Sequence, residues 1–343
     1  MRAFMSRRSV VAPAASLDHD APAVSVTGLV KRFGVVEAVG GVTFEVHPGE
    51  VFAFLGPNGA GKSTTIRMLC TLTRPTGGRA AVGGFDVTER PQAVRRRIGL
   101  VFQDQTLDDQ LTAEENLRFH AVLYGVERAQ VRSRIDRVLG LVDLTDRRRD
   151  LVSTYSGGMA RRLEIARALL HTPEVLFLDE PTVGLDPQTR ARMWEDVLRL
   201  RDEEAATVFL TTHYMDEAEY ADRIAIIDHG RVVALDTPSR LKATVGADTV
   251  LIRTDDDRLA AAHLRAAGYA AEPAAGGGVE MAVPDGEAAV ASIVDAAEVP
   301  VDRVRVRRPT LDDVFFHFTG RQIRAEGGDD LGGVRRIMKG RRR

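Results

Sequence analysis

The sequence predicts a parallel α/β fold with ligands gathered at the C-terminal ends of its strands, and three observations carry that expectation. Val51-Phe52-Ala53-Phe54-Leu55 is an unbroken apolar run, the mark of a strand buried on both faces of a parallel sheet. It leads through a glycine-rich loop into Ser63–Cys70, which reads as a helix, so strand, loop and helix follow in the order that makes such a loop meaningful. Similar apolar runs recur at Val175-Leu176-Phe177-Leu178, Thr207-Val208-Phe209-Leu210-Thr211 and Ile224-Ala225-Ile226-Ile227. Strands of this kind alternating with helices build a parallel sheet whose crevice lies beyond the strand C-termini.

Element by element, residues 1–22 are rich in Ala, Pro and charge and read as a disordered leader. Ser6-Arg7-Arg8 faintly resembles an export signal, but the apolar stretch after it is short and broken by Pro13. Val24-Ser25-Val26 alternates as a strand does, and Ala38–Val46 has strand-like content before the turn at Pro48-Gly49. Between Leu111 and Leu170 the pattern turns helical, as in Val131–Leu141 with apolar residues at 131, 135, 138, 139 and 141. This predicts an inserted helical subdomain over about 104–170 within a unit spanning 23–240. After Leu241 the composition shifts toward Ala, Gly and Asp. Thr249–Arg253, Gly278–Val283 and Val301–Val306 read as strands, with helices at Arg258–Ala267 and Glu287–Ala297, so 241–320 is expected to form a small α+β domain. Residues 321–343, glycine-rich and ending in Arg335, Arg336, Lys339 and Arg341–Arg343, read as a flexible basic tail.

Composition removes several function classes. The 343 residues carry 47 Lys and Arg against 49 Asp and Glu, a near-neutral balance unlike the basic footprint of a protein that coats nucleic acid. The tail could touch nucleic acid or anionic lipid, but a solvated tail is the simpler reading, so no specific nucleic-acid partner is expected. One cysteine, Cys70, excludes an internal disulfide. No stretch free of Asp, Glu, Lys and Arg exceeds 11 residues, as in Val51–Gly61, whereas a membrane-spanning helix needs about 20 mostly apolar residues. Only four of the cations are Lys (Lys31, Lys62, Lys242 and Lys339), the rest being Arg.

One of those four sits where its chemistry counts. Gly56-Pro57-Asn58-Gly59-Ala60-Gly61-Lys62-Ser63-Thr64 satisfies the phosphate-loop pattern in full. Its glycines let backbone N–H groups point inward, and the following helix adds its positive end. The Lys62 ammonium, a compact charge on a flexible stem, suits the terminal phosphates better than a planar guanidinium. The Ser63 hydroxyl suits Mg²⁺. The run 175–179 supplies a matching half: a buried strand delivering Asp179 toward the metal, with Glu180 placed to polarise water as a general base. The loop and the acidic pair together imply a nucleoside triphosphate and its hydrolysis.

Tyr155-Ser156-Gly157-Gly158-Met159 heads the helical run Arg161–Leu170. Here the chain resembles the ATP-binding-cassette family, whose signature is Leu-Ser-Gly-Gly-Gln; Ser156, Gly157 and Gly158 match, and Tyr155 and Met159 depart. Gln103 resembles the family's Q-loop glutamine, a Mg²⁺ ligand and hinge; Gly184-Leu185-Asp186 resembles the D-loop; His213 resembles the switch histidine. Phe33 stands where the family places an aromatic that stacks on adenine, a core phenylalanine being the alternative. The resemblance covers about 24–240. It implies a P-loop cassette with a RecA-like parallel core, an antiparallel β edge and the helical insertion. It also implies Glu180, His213 and Lys62 as catalytic residues, and Ser63, Gln103 and Asp179 around Mg²⁺. ATP would lie between two cassettes, the phosphate loop of one facing Ser156–Gly158 of the other, so a homodimer or a paralogous cassette is expected. Dimer closure would drive a separately encoded permease of about six membrane helices, docked near Asp104–Leu111, with the chain held at the cytoplasmic face of the membrane through it. Pro309-Thr310-Leu311-Asp312-Asp313-Val314-Phe315-Phe316, Phe318-Thr319-Gly320 and Met68-Leu69-Cys70-Thr71-Leu72 resemble the daunorubicin-resistance exporter branch, which implies export of a hydrophobic drug or antibiotic. The competing reading is a soluble cassette acting on DNA or ribosomes. Such proteins have a long coiled coil splitting the cassette or two cassettes per chain, and neither is present.

Overall fold

The structure is a computed structural model that describes residues 21–204, 206–274 and 276–320. The expected leader, but for its last two residues, and the expected tail at 321–343 lie outside the described residues. The chain begins with β1 (Val24–Phe33), β2 (Val36–Val46), β3 (Val51–Leu55) and α1 (Lys62–Leu69), followed by β4 (Gly77–Val82), β5 (Phe85–Asp86), α2 (Pro91–Arg97) and β6 (Ile98–Val101). Three helices come next: α3 (Ala113–Leu123), α4 (Arg128–Leu141) and α5 (Gly157–Leu169). The chain then returns to the sheet with β7 (Val175–Asp179), α6 (Pro187–Glu204), β8 (Thr207–Thr212), α7 (Met215–Ala218), β9 (Arg223–Asp228) and β10 (Arg231–Asp236).

Six strands form the central sheet in the order β10-β9-β3-β8-β7-β6, all parallel except β10, which closes the edge as the antiparallel partner of β9. All residues of β3, β7 and β8 are buried, as their apolar runs require. One face of this sheet packs on an antiparallel sheet, β2-β1-β4-β5. Between the two lies a cluster of aromatic rings in which Phe44 of β2 meets Phe52, Phe54 and Phe209 at centroid distances of 5.5, 5.4 and 5.8 Å. Such pairs add about 0.5–1.5 kcal/mol each beyond their buried area. The other face packs on α5, α6 and the helical insertion. A capping box fixes the start of α3: the Thr112 hydroxyl accepts from the Glu115 N–H while Glu115 accepts from the Thr112 N–H.

Beyond α8 (Pro238–Val245) come β11 (Asp248–Thr254), α9 (Asp257–Ala266), β12 (Glu272–Pro273), β13 (Val279–Val283), α10 (Gly286–Ala297) and β14 (Val301–Arg307). They make an antiparallel sheet in the order β12-β13-β11-β14 with its own apolar core against α9 and α10, the split β-α-β arrangement. The last helix, α11 (Leu311–Thr319), leaves that sheet. Its Leu311, Val314 and Phe315 join the core beneath the parallel sheet, beside Leu241 of α8. The 241–320 segment thus serves two cores, and its end is anchored to the larger one.

Candidate functional site

The site is built where β3 ends in the middle of the parallel sheet, between β8 and β9. Here the chain passes from strand to helix through a passage too narrow for side chains. A Cβ on Gly56 would stand 2.3 Å from the Ile227 carbonyl oxygen, and one on Gly61, at φ +107°, would stand 2.5 Å from that of Ala38. At the head of α1 the Lys62 side chain is buried. Its ammonium donates to the carbonyls of Gly56 (2.7 Å) and Pro57 (3.1 Å) and lies 3.0 Å from the Glu180 carboxylate.

Asp179 ends β7 beside this loop. Its Oδ1 accepts hydrogen bonds from the hydroxyls of Ser63 (3.1 Å) and Thr211 (2.7 Å). Thr211 also accepts from the Glu180 N–H at 3.0 Å, so one hydroxyl on β8 holds both members of the acidic pair. Glu180 has φ +46°, a left-handed conformation that non-glycine residues seldom adopt and that concentrates at functional sites. The Nδ1 of His213, just past β8, lies 3.5 Å from the Glu180 carboxylate. Burial pushes the Glu180 carboxyl upward, but the His213 ring and the Lys62 ammonium outweigh it and hold it down at about 2.

A cavity of about 300 Å³ opens here, lined by Ala38, Asn58, Gly59, Gly61, Lys62, Ser63, Thr64, Gln103 and Glu180. The residues fit a triphosphate with Mg²⁺. A buried ammonium and glycine-lined backbone provide for an anion, and the hydroxyl of Ser63, the amide of Gln103 and the carboxylate of Asp179 are the hard oxygen donors this cation takes together with water and phosphate. Among the described residues no group of three or more His, Cys, Asp or Glu could hold a metal by itself. An ion here therefore needs oxygens from a ligand.

The structure brings the phosphate loop, Gln103, Asp179, Glu180 and His213 to one place and leaves other expected residues apart. Phe33 is 53% exposed with the Lys31 ammonium 4.8 Å above its ring, so it is an available face and not a core residue. Ser156, Gly157 and Gly158 do not line the cavity. Ser156 caps α5, accepting from the Met159 N–H at 3.2 Å, and a Cβ on Gly158 would stand 2.2 Å from Thr189 Cγ2. Asp186 is likewise outside, accepting from the Thr189 hydroxyl at 2.6 Å at the head of α6. Ser156–Gly158 and Asp186 thus stand outside the cavity that their own chain's phosphate loop lines.

Three groups of supporting residues escape sequence reasoning. Thr211 looks like an ordinary strand residue. Arg161 in the second turn of α5 is buried, and its guanidinium donates to the carbonyls of Phe102 and Pro181 (2.8 Å) and to Glu164 (2.9 Å). It thereby ties the segments on either side of Gln103 and Glu180 to the Ser156–Gly158 helix. Glu217 of α7, buried, accepts from Thr182 and from Thr212 (2.6 Å), joining the loop after Glu180 to the one that carries His213. The one sequence signal for these is a charged residue at an otherwise apolar helical position.

Comparison with known proteins agrees with this geometry. A family model described as ABC transporter matches residues 39–183. The chain is 43% identical over 309 residues to the daunorubicin resistance ATP-binding protein DrrA3 of Streptomyces coeruleorubidus, covering 87% of this chain and 96% of that one. It is 37% identical over 303 residues to the linearmycin resistance ATP-binding protein LnrL of Bacillus subtilis, covering 86% and 97%. Among solved structures it resembles the ATP-binding cassette MJ0796, a dimer in a post-hydrolysis state bound to ADP and Pi, with a TM-score of 0.57, 27% identity and coverage of 62% of this chain and 98% of that one.

Proposed function

Because the chain belongs to the ATP-binding-cassette family and is an ATPase, we propose that it powers export of a hydrophobic drug or antibiotic through a separately encoded membrane permease. The single observation that supports this mechanism is the phosphate loop with its acidic pair in one place and Ser156–Gly158 outside the cavity they line. Two copies, or one copy and a paralogue, complete each other's sites, with Ser156, Gly157, Gly158 and Asp186 of one meeting the nucleotide held by Gly56–Thr64 of the other.

In the closed site Lys62 turns from Glu180 to the terminal phosphates. Glu180, freed from that ion pair, recovers the basicity needed to orient and deprotonate water, and His213 steadies the developing charge. Ser63, Gln103 and Asp179 would hold Mg²⁺, which would neutralise phosphate charge. Phe33 stacks on the adenine.

Export is favoured over action on DNA or ribosomes by the relatives of 43% and 37% identity, both named for resistance to a compound. Those compounds differ between the two, so cargo choice is assigned to the permease. Among the described residues no helix is long and apolar enough to cross a membrane. In the proposed arrangement the permease is the membrane-crossing half, and this chain works against it at the cytoplasmic face of the membrane. The permease docks on the groove between the core and the helical insertion, a cavity of about 370 Å³ lined by Leu72, Phe102, Thr106, His120, Tyr124 and Arg167 among others, beside exposed Phe119, Val122 and Leu123. In this reading residues 23–240 are the motor, 104–170 its partner-facing subdomain, and 241–320 an accessory domain.

Lys62→Ala is expected to lower ATP turnover at least about 100-fold, measured as phosphate release, because Lys62 is the one cation among the described side chains that line the cavity. Turnover at the wild-type rate in that variant contradicts the phosphate-loop assignment. Export is tested by co-purification with a permease encoded beside it, absence of which defeats the transport reading.

A further inference from the structure

The small C-terminal sheet buries one face only. Val250, Ile252, Val279, Met281 and Val283 enter the core shared with α9 and α10, so the residues between them point outward. Strand register sets this outer face as rows. One row runs across four strands as Arg305, Leu251, Glu280, Glu272. On one side of it Arg303 stands opposite Arg253, and on the other Arg307 stands opposite Thr249.

Charge on this face is segregated. Cations occupy β14 and β11, carboxylates occupy β12 and β13, and half-buried Leu251 lies between. Like charges face each other directly at Arg253–Arg303 and at Glu272–Glu280, an arrangement that costs stability in an isolated antiparallel sheet. A face meant only for water gains by alternating its signs. Among the described residues Arg303, Arg305, Glu272 and Glu280 have no ion-pair partner.

We propose that this face is an interface between two copies of the chain, whose C-terminal sheets stack about a two-fold axis running parallel to the strands. Such an axis, passing between β11 and β13, lays β14 of each copy over β12 of the other. Arg305 then meets the second copy's Glu272, Leu251 covers the aliphatic stem of the second copy's Glu280, and symmetry supplies every contact twice. Sheets stack about 10 Å apart, within reach of Arg and Glu side chains extended from both. An axis across the strands would set cations on cations, so the charge pattern selects one orientation. The proposal rests on the reading that two copies of this chain pair around ATP, and it adds a contact that needs no nucleotide and keeps the pair together while the cassettes are open.

Sedimentation of the full chain without nucleotide, at low ionic strength, tests it. The wild type self-associates, increasingly so as salt is lowered. Arg305→Glu and Glu272→Arg each weaken association about tenfold or more, since each turns two attractions into repulsions. The double variant Arg305→Glu/Glu272→Arg recovers near-wild-type association, because both signs are exchanged; a merely structural defect would not be repaired. A wild type that stays monomeric at roughly 100 μM overturns the proposal, as do single variants that associate normally or a double variant that is not rescued. If Arg305→Glu abolishes retention on phosphatidylglycerol vesicles and leaves self-association intact, the face belongs to lipid and the proposal fails. Failure of the ATP-sandwich reading shows separately, in ATP-dependent complementation between phosphate-loop and Ser156–Gly158 variants, which none of these surface residues enters.

Discussion

His213 and Lys62 stand 3.5 and 3.0 Å from the Glu180 carboxylate, and together they make the stability of the fold depend on acid. The Glu180 carboxyl, held at about 2, lies below its unfolded value, so ionised Glu180 favours the folded state. That contribution is complete above about pH 4.5 and is lost as the pH falls toward 2. Glu180→Gln is therefore expected to lower the melting temperature at pH 7 and to lose that difference progressively below pH 4.5, read by calorimetry across pH. An equal difference at pH 7 and pH 3 contradicts the pairing. The same variant is expected to bind ATP and hydrolyse it poorly. At this scale the sequence was most legible where a chemical role restricts the residue type, as at Lys62, Ser63, Asp179 and Glu180. Thr211 was invisible because its role comes from strand register, which has no local pattern, and Arg161 showed only as a charge within an apolar helix, with no sign of the two loops it reaches.

The α5–α6 contact shows what an element demands of its residues. Gly158 allows α5 to approach α6 until a Cβ would collide with Thr189 Cγ2 at 2.2 Å. Gly158→Ala is expected to destabilise the fold by about 1–3 kcal/mol through overpacking. Adding Thr189→Ser, which removes the methyl and keeps the hydroxyl on Asp186, is expected to restore most of it, measured by denaturant unfolding as a double-mutant cycle. On the same helix Asp196 is buried with neither carboxylate oxygen hydrogen-bonded, and burial raises its carboxyl to about 6, against the pull of Arg162 and Arg199. A raised carboxyl disfavours folding once it must ionise. The penalty is absent below about pH 3.8, grows through about pH 6 and is full above it. Asp196→Asn is expected to stabilise the chain by about 1 kcal/mol at pH 8 and to add nothing at pH 4, checked by urea titration at both. Elements with uninterrupted apolar runs were readable in advance. The strands Gly77–Val82 and Phe85–Asp86 were not, because glycines and mixed polarity hide their period. The motif at 309–316 marked a branch of the family, yet nothing in its sequence says that α11 turns back to the larger core, since that is decided by the distant apolar cluster its Phe315 joins.

For the whole molecule, charge is near neutral, and among the described residues no helix is long and apolar enough to cross a membrane. In the proposed arrangement each site is split between two chains. If Lys62 of one chain works with Gly157 of a second, two different defects should repair each other when the chains are mixed. Lys62→Ala removes the phosphate-loop cation and leaves the Ser156–Gly158 segment intact. Gly157→Asp does the reverse, setting a carboxylate where the phosphate must come. The nearest atom to the new Cβ is Leu185 Cδ2 at 4.0 Å, and an acidic residue suits the first turn of a helix, so this variant folds. Each variant alone is expected to be inactive in phosphate release. An equimolar mixture is expected to recover activity, up to about a quarter of the wild-type rate, since about half of random pairs are mixed and each holds one complete site. A mixture as inactive as its components, under conditions where the wild type turns over, contradicts the shared site on which this account of the protein depends.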